Sequence, residues 1–136
     1  MDWGERRIGL ALSDESGTLA SPLATLTRRA GKRPPLADIL RTCQSHDVRA
    51  VVVGLPLDES GQEGAAAIAA RALADALTRR GAPPVTLWDE RMSTARALQA
   101  VREAGGSTRG RKDDLDALAA AVLLQTYLDA RRGGAT

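Results

Sequence analysis

At 136 residues the chain has room for one domain with a sizeable core and not for two. Its 19 Lys and Arg nearly balance 17 Asp and Glu, a net charge of +2, so any nucleic-acid binding must come from placed patches rather than bulk charge. One cysteine excludes an internal disulfide, no apolar run could span a membrane, and two Trp and one Tyr are too few for base stacking along a single strand, which together with the lack of a signal-peptide core predicts a cytoplasmic protein.

The first stretch, Asp2-Trp3-Gly4-Glu5-Arg6-Arg7-Ile8-Gly9-Leu10-Ala11-Leu12-Ser13-Asp14, reads as a turn feeding a strand. A carboxylate at such a strand end can hold a divalent cation, because the strand fixes the oxygen while the turn leaves the metal face open. Asp-x-Gly also occurs in many ordinary surface turns. Strands are predicted at 8–13 and 19–27, joined by Asp14-Glu15-Ser16-Gly17, and with the segment at Asp2 they would form an antiparallel meander. The basic group Arg28, Arg29, Lys32 and Arg33 reads as a solvated loop or a phosphate contact. Pro34-Pro35 then opens a helix running to about 45, with Leu36, Ile39 and Leu40 at helical spacing and Cys43 in its core face. His46 fits a helix cap better than a catalyst.

Arg49-Ala50-Val51-Val52-Val53-Gly54-Leu55-Pro56 is a continuous apolar run, the pattern of a strand covered on both faces. An alanine-rich helix follows over about 63–80, with Leu73 and Leu77 on one side, and Gly81-Ala82-Pro83-Pro84 stops it. Val85-Thr86-Leu87-Trp88 is a second buried strand ending on Asp89-Glu90-Arg91. Strand, helix and strand at this spacing make a βαβ unit, so these strands should be parallel with a right-handed crossover. Ser93 or Thr94 can cap a helix through 104, closed by Gly105-Gly106. A polar connector at 107–112 carries Arg109, Arg111 and Lys112. The last helix is predicted from near Asp113 to about Arg131, with a core stripe of Leu115, Leu118, Ala119, Val122 and Leu123 and with Asp113 and Asp116 on one side of its first turn.

Three acidic places stand out: Asp2 at a strand end, Asp89-Glu90 at the carboxyl end of a parallel strand, and Asp113 with Asp116 at a helix start. Ligands of open α/β sheets gather outside the carboxyl ends of the strands. Carboxylates converging there repel one another unless a cation lies between them, and oxygen-only ligands favour Mg²⁺ or Mn²⁺. Two such ions can clamp the attacking and leaving oxygens of phosphodiester hydrolysis. Each acid also has a plainer role: Asp113 and Asp114 suit a helix dipole, and Asp89 suits an ion pair with Arg91.

With these residues assembled, the chain resembles the YqgF or RuvX family of Holliday-junction-resolvase-like nucleases in the ribonuclease H-like superfamily. The resemblance rests on Asp2-x-Gly4-x-x-Arg7-Ile8-Gly9-x-Ala11-x-Ser13-Asp14, Ala20-Ser21-Pro22-Leu23 and Val52-Val53-Gly54-Leu55-Pro56. It continues through Gly61-x-Glu63-Gly64, Asp89-Glu90-Arg91-x-Ser93-Thr94 and Asp116-x-Leu118-Ala119-Ala120-x-x-Leu123-Leu124-Gln125-x-Tyr127-Leu128. It implies a single α/β domain over 1–136, with a five-stranded mixed sheet in the order 3-2-1-4-5 and helices on both faces. It also implies a nuclease dependent on Mg²⁺ or Mn²⁺, acting in maturation of the 5′ end of 16S ribosomal RNA and on branched DNA such as Holliday junctions. The catalytic residues it implies are Asp2 and Asp116, with Glu90 or Asp89 as the middle acid. The implied metal ligands are Asp2, Glu90, Asp116 and a fourth acid, Asp113. In the implied fold Arg6, Arg7, Arg91, Arg109, Arg111 and Lys112 border the site and can position phosphates; Arg7 and Arg91 can equally hold neighbouring carboxylates.

Family members usually carry several apolar residues before the Asp-x-Gly acid, and here Met1 alone precedes it. The expectation is a shortened first strand, and weaker metal binding than in a chain with four or five more N-terminal residues, which Mn²⁺ titration of the two would check. Cutting a junction at two symmetric points would further require a homodimer. Two other readings compete: a non-catalytic rRNA-binding assembly factor, and a sugar-kinase or actin-like ATPase half, which the chain is too short to complete.

Overall fold

The computed structural model describes residues 1–4, 6–27, 34–58, 60–92 and 111–133, and at 92, 111–114 and 133 the backbone alone. The basic group at 28–33, the helix predicted to end at 104 and the connector with Arg109 lie outside the described residues.

Three strands form an antiparallel sheet: β1 (Asp2–Trp3), β2 (Arg7–Ser13) and β3 (Ala20–Thr27). Asp2 stands opposite Gly9, and Trp3 opposite Ile8. The β2–β3 hairpin closes on Asp14, whose carboxylate accepts the Thr18 and Leu19 N–H groups and the Ser16 hydroxyl, while Gly17 takes a φ of +71°. Those bonds, led by the Thr18 N–H, hold the Asp14 carboxyl below its ordinary range. Leu19, predicted to open the strand, is used up in this turn and stands 61% exposed; β3 begins one residue later.

β4 (Val51–Leu55) and β5 (Val85–Asp89) pair in parallel, joined through α2 (Ala65–Arg79), which is the predicted βαβ unit. Two backbone hydrogen bonds reach from this sheet to the start of the chain: the Met1 amine donates to the Val52 carbonyl at 2.5 Å, and the Gly54 N–H donates to the Met1 carbonyl at 2.9 Å. α1 (Leu36–Ser45) precedes β4 and ends on His46 at its C-cap, after which Asp47 adopts the left-handed φ of 52° that Asp tolerates better than most residues. Cys43, read as core, is only partly buried.

Alternation along the strands divides the protein into two faces. Ile8 and Leu10 of β2 and Val51, Val53 and Leu55 of β4 pack with Ile39 of α1 and with Ala67, Ala70, Leu73 and Leu77 of α2. At roughly 1.5–3 kcal/mol for each fully buried large aliphatic side chain, this cluster is the main stabilising mass. Positions between them on β2 and β4, notably Gly9 and Gly54, turn to the other face, where α3 (Arg111–Gly133) lies. α3 buries Ala117, Ala119, Ala120, Ala121, Leu123 and Leu128.

Two expectations about this helix change. It begins at Arg111, so Arg111 and Lys112 belong to its first turn rather than to a connector. Leu118, placed in the core stripe, is 40% exposed, and alanines take the inward line. The physical reason is the closeness of the helix to the sheet: the Asp116 backbone carbonyl lies where a β-carbon on Gly9 would be, and a leucine could not fit beneath a helix so near. Gln125 ties α3 to the hairpin by accepting the Ala20 N–H and donating to the Thr18 carbonyl, each at 2.9 Å. Trp88 of β5 meets Tyr127 of α3 edge to face, ring centres 5.4 Å apart, and the Arg131 guanidinium lies 5.7 Å from the centre of the same Tyr127 ring. No described helix is long and apolar enough to cross a membrane.

Candidate active site

Three charged side chains are buried among the described residues, and all three are acids from the sequence motifs: Asp2 at 2% exposure, Glu90 at 1% and Asp116 at 1%. They arrive on separate elements. Asp2 opens β1, Glu90 begins the single 3₁₀ turn (Glu90–Met92) that ends β5, and Asp116 sits in the second turn of α3.

What brings them to one region is the pair of glycines on the α3 face. Gly9 is the cross-strand partner of Asp2, and the space its missing side chain leaves is taken by the Asp116 backbone carbonyl, 2.0 Å from an ideal β-carbon position. Gly54 bonds to the Met1 carbonyl beside Asp2, and its vacant β-carbon position lies 2.6 Å from Glu90 Oε1 and 2.8 Å from Leu123 Cδ2. Asp2 is thus flanked by two glycines, one covered by the Asp116 backbone and the other by the Glu90 carboxylate. The role of Gly9 was missed, and its signal is a glycine in the interior of a strand, which marks close approach of another backbone.

Burying a carboxylate costs several kcal/mol unless countercharge or hydrogen bonds offset it. For Asp116 part of the answer is Arg7, whose Nε–H donates to Asp116 Oδ2 at 2.5 Å across 109 residues of sequence. The Met1 amine lies in the same region: burial pushes its pKa down to about 6, against the carboxylates of Asp2 and Glu90, which favour its charged form.

Asp89 behaves differently from its neighbour. Arg91 grips it with Nε on both carboxylate oxygens (3.2 and 3.1 Å), Nη2 on Oδ2 at 2.8 Å and its own backbone N–H on Oδ1 at 2.9 Å. This is the plainer role considered for it. The Asp58–Gln62 loop lies against the same guanidinium. Asp58 Oδ1 accepts the Ser60 hydroxyl and the Ser60 and Gln62 N–H groups, bonds that hold its carboxyl below the ordinary range, the Ser60 hydroxyl foremost. Gly61 (φ +86°) passes so near that an added β-carbon would stand 3.3 Å from Arg91 Nη1. Gly61→Ala should therefore cost about 1 kcal/mol of stability from the left-handed backbone alone. Thermal unfolding by calorimetry checks it, and an unchanged Tm would show that the loop relaxes freely.

Of the other basic residues singled out, Arg6 is exposed next to β2 and Arg91 is 36% exposed at the end of β5. Arg109 lies outside the described residues, as do the side chains of Arg111, Lys112 and Asp113, whose backbone forms the turn of α3 ahead of Asp116. The buried set offers oxygen donors only, which suits a hard divalent cation such as Mg²⁺ or Mn²⁺. As placed, no three His, Cys, Asp or Glu among the described residues form a group able to hold one ion.

Comparison with known proteins adds an independent finding. The family described as RuvX: Holliday junction resolvase matches residues 1–130. A relative from Anaeromyxobacter sp. (strain Fw109-5) is 46% identical over 131 residues, covering 96% of this chain and 95% of its own. One from Chloroflexus aggregans (strain MD-66 / DSM 9485) is 42% identical over 132 residues (97% and 92%), and one from Myxococcus xanthus (strain DK1622) is 40% identical over 132 residues (97% and 87%). All three carry the name "Putative pre-16S rRNA nuclease".

Proposed function

The chain belongs to the RuvX family, and from that membership we propose that it is a divalent-metal-dependent nuclease hydrolysing phosphodiester bonds, with pre-16S ribosomal RNA as its substrate and branched DNA as a second one. The observation that carries the reading is the burial of Asp2, Glu90 and Asp116 around Gly9 and Gly54, on the face that α3 covers. In the same reading the two sheets are one ribonuclease H-like sheet, ordered β3-β2-β1-β4-β5. The Met1 bonds to Val52 and Gly54 support that continuity.

Asp2, Glu90 and Asp116 would hold Mg²⁺ or Mn²⁺, with Asp113 as the fourth ligand that the family resemblance implies. When bound, the metal supplies a Lewis acid for the attacking water and the leaving oxygen. The remaining work falls to the chain itself. Glu90 is the middle acid, because its side chain is buried at Gly54 while Asp89 serves Arg91. Asp89 holds the Arg91 guanidinium next to Glu90 in the chain, and Arg91 and Arg6 would position the phosphate backbone. Symmetric cutting of a four-way junction would need two copies of the chain, one cluster for each strand.

A second reading, an RNA-binding assembly factor without catalysis, draws on the lack of a ready three-acid metal group among the described residues. One experiment separates them. Labelled RNA spanning the 5′ end of pre-16S rRNA and a labelled DNA junction are mixed with the protein and Mn²⁺, with EDTA, and with the Asp116→Asn protein. Cleavage that needs Mn²⁺ and is lost in the variant while binding persists supports the nuclease. Salt-sensitive binding by both proteins without cleavage supports the binder.

A further inference from the structure

We propose that the cavity between β2 and β4 is a binding slot for a short, extended, apolar peptide with a free C-terminal carboxylate. β1 pairs with β2 at two positions, Asp2 opposite Gly9 and Trp3 opposite Ile8. β2 runs on through Ala11, Leu12 and Ser13, and among the described residues no strand lies beside that edge. Across the gap stands the start of β4. The Val51 N–H donates to the Pro84 carbonyl at 2.9 Å on the β5 side, so by the alternation of a strand the Val52 N–H and carbonyl face away from β5, and the Met1 amine takes that carbonyl. The space between the two edges is a cavity of about 850 Å³ with Met1 at its β1 end. α1 walls it on one face through Ile39 and Cys43, and α3 on the other through Leu124, Tyr127 and Leu128.

These walls define the occupant. Two strand edges facing each other call for a backbone that presents N–H and C=O groups on both sides, which an extended peptide does. Its side chains would alternate between α1 and α3, so both sets must be apolar, as in any strand covered on both faces. About four residues at the rise of a strand match the length of β2 left open. Polarity follows from β1: a strand in the same line runs antiparallel to β2 and parallel to β4, so its last residue arrives at Met1. There it meets the Met1 amine, a cationic donor that a C-terminal carboxylate complements. The bound strand would join the two sheets immediately ahead of Asp2 with or without a metal, so the inference stands apart from the nuclease reading.

The test adds a peptide of about five residues, valine and leucine with one lysine at its N-terminus for solubility, to the full chain. It follows thermal unfolding and the rate at which Cys43, the single cysteine and a residue of the slot wall, reacts with a thiol reagent. The slot predicts a Tm raised by about 4 °C at saturation and a Cys43 reaction slowed about fivefold. The same peptide amidated at its C-terminus should bind about tenfold more weakly, and one with a central proline, which lacks a backbone N–H, should not bind. A chain carrying the same residues fused ahead of Met1 should ignore added peptide, because its own extension fills the slot. Unchanged Tm and Cys43 reactivity at millimolar peptide overturn the proposal. Equal binding of the proline peptide, or undiminished binding by the fused chain, overturns it as well, by marking the contact as nonspecific or as lying elsewhere. A chain that sediments as a dimer and becomes monomeric on adding peptide overturns it in favour of a second copy as the occupant.

Discussion

Gly9→Ala should be among the most damaging single substitutions in this protein, costing about 3 kcal/mol or more and disabling the site along with the fold. An ideal β-carbon there would lie 2.0 Å from the Asp116 carbonyl oxygen, 2.5 Å from its carbon and 3.2 Å from the Ala117 nitrogen, all backbone atoms of α3. No rotamer change relieves a clash with backbone, so either the helix lifts from β2 or the strand bends. Overpacking of an ordinary core costs about 1–3 kcal/mol, and the absence of a movable side chain puts this position at the upper end. Lifting the helix would also withdraw Asp116 from Asp2 and Arg7. Gly54→Ala makes the informative contrast, since its close neighbours are the side chains of Glu90 and Leu123, which can turn away. It should lose less stability and a comparable share of activity. Urea denaturation of the two variants checks the ranking, and equal, small losses would show that α3 does not press on the sheet as closely as its position implies.

On the proposed metal-dependent reading, in which Glu90 is a ligand, Glu90→Gln should reduce cleavage by about three orders of magnitude, the equivalent of roughly 4 kcal/mol of transition-state stabilisation. Glutamine keeps the volume beside Gly54, and removing one of several neighbouring negative charges relieves repulsion, so the protein should remain folded with little change in Tm. Asp89→Asn is the discriminating partner. It loosens a charge-assisted fork on Arg91, and if Arg91 positions the substrate backbone as proposed its effect should be about tenfold, expressed as a higher KM. Single-turnover and steady-state cleavage assays on both variants distinguish the roles. A larger loss for Asp89→Asn than for Glu90→Gln would exchange the assignments.

Much of this arrangement could be read from the chain alone, for reasons specific to its parts. The β2–β3 hairpin announces itself through Asp14 and Gly17, and the parallel pair through an uninterrupted valine run, a helix of suitable length and a second short strand; these signals are local and survive folding unchanged. Motif order singles out Asp2 and Asp116 in the sequence, and the fold buries both. The choice between Asp89 and Glu90 was not legible, since adjacent carboxylates look alike until the strand ends and a 3₁₀ turn sends one side chain inward while Arg91 captures the other. Leu118 misled for a related reason. Periodicity favours large apolar residues, whereas the spacing between α3 and β2 is set by Gly9, a residue with no side chain, and so selects alanine. The Asp58 loop and its contact with Arg91 had no signal beyond a few polar residues and a glycine.

The aromatic content has an optical consequence. The chain contains two tryptophans and no phenylalanine. Trp3 directly follows Asp2; Trp88 stands two residues before Glu90 and abuts Tyr127 on the helix that carries Asp116. Intrinsic ultraviolet emission therefore originates from chromophores on the strand that carries Asp2, on the strand that leads into Glu90 and on the helix that carries Asp116. If Mn²⁺ binds at those acids as proposed, its paramagnetic quenching of this emission reports the binding without an attached dye.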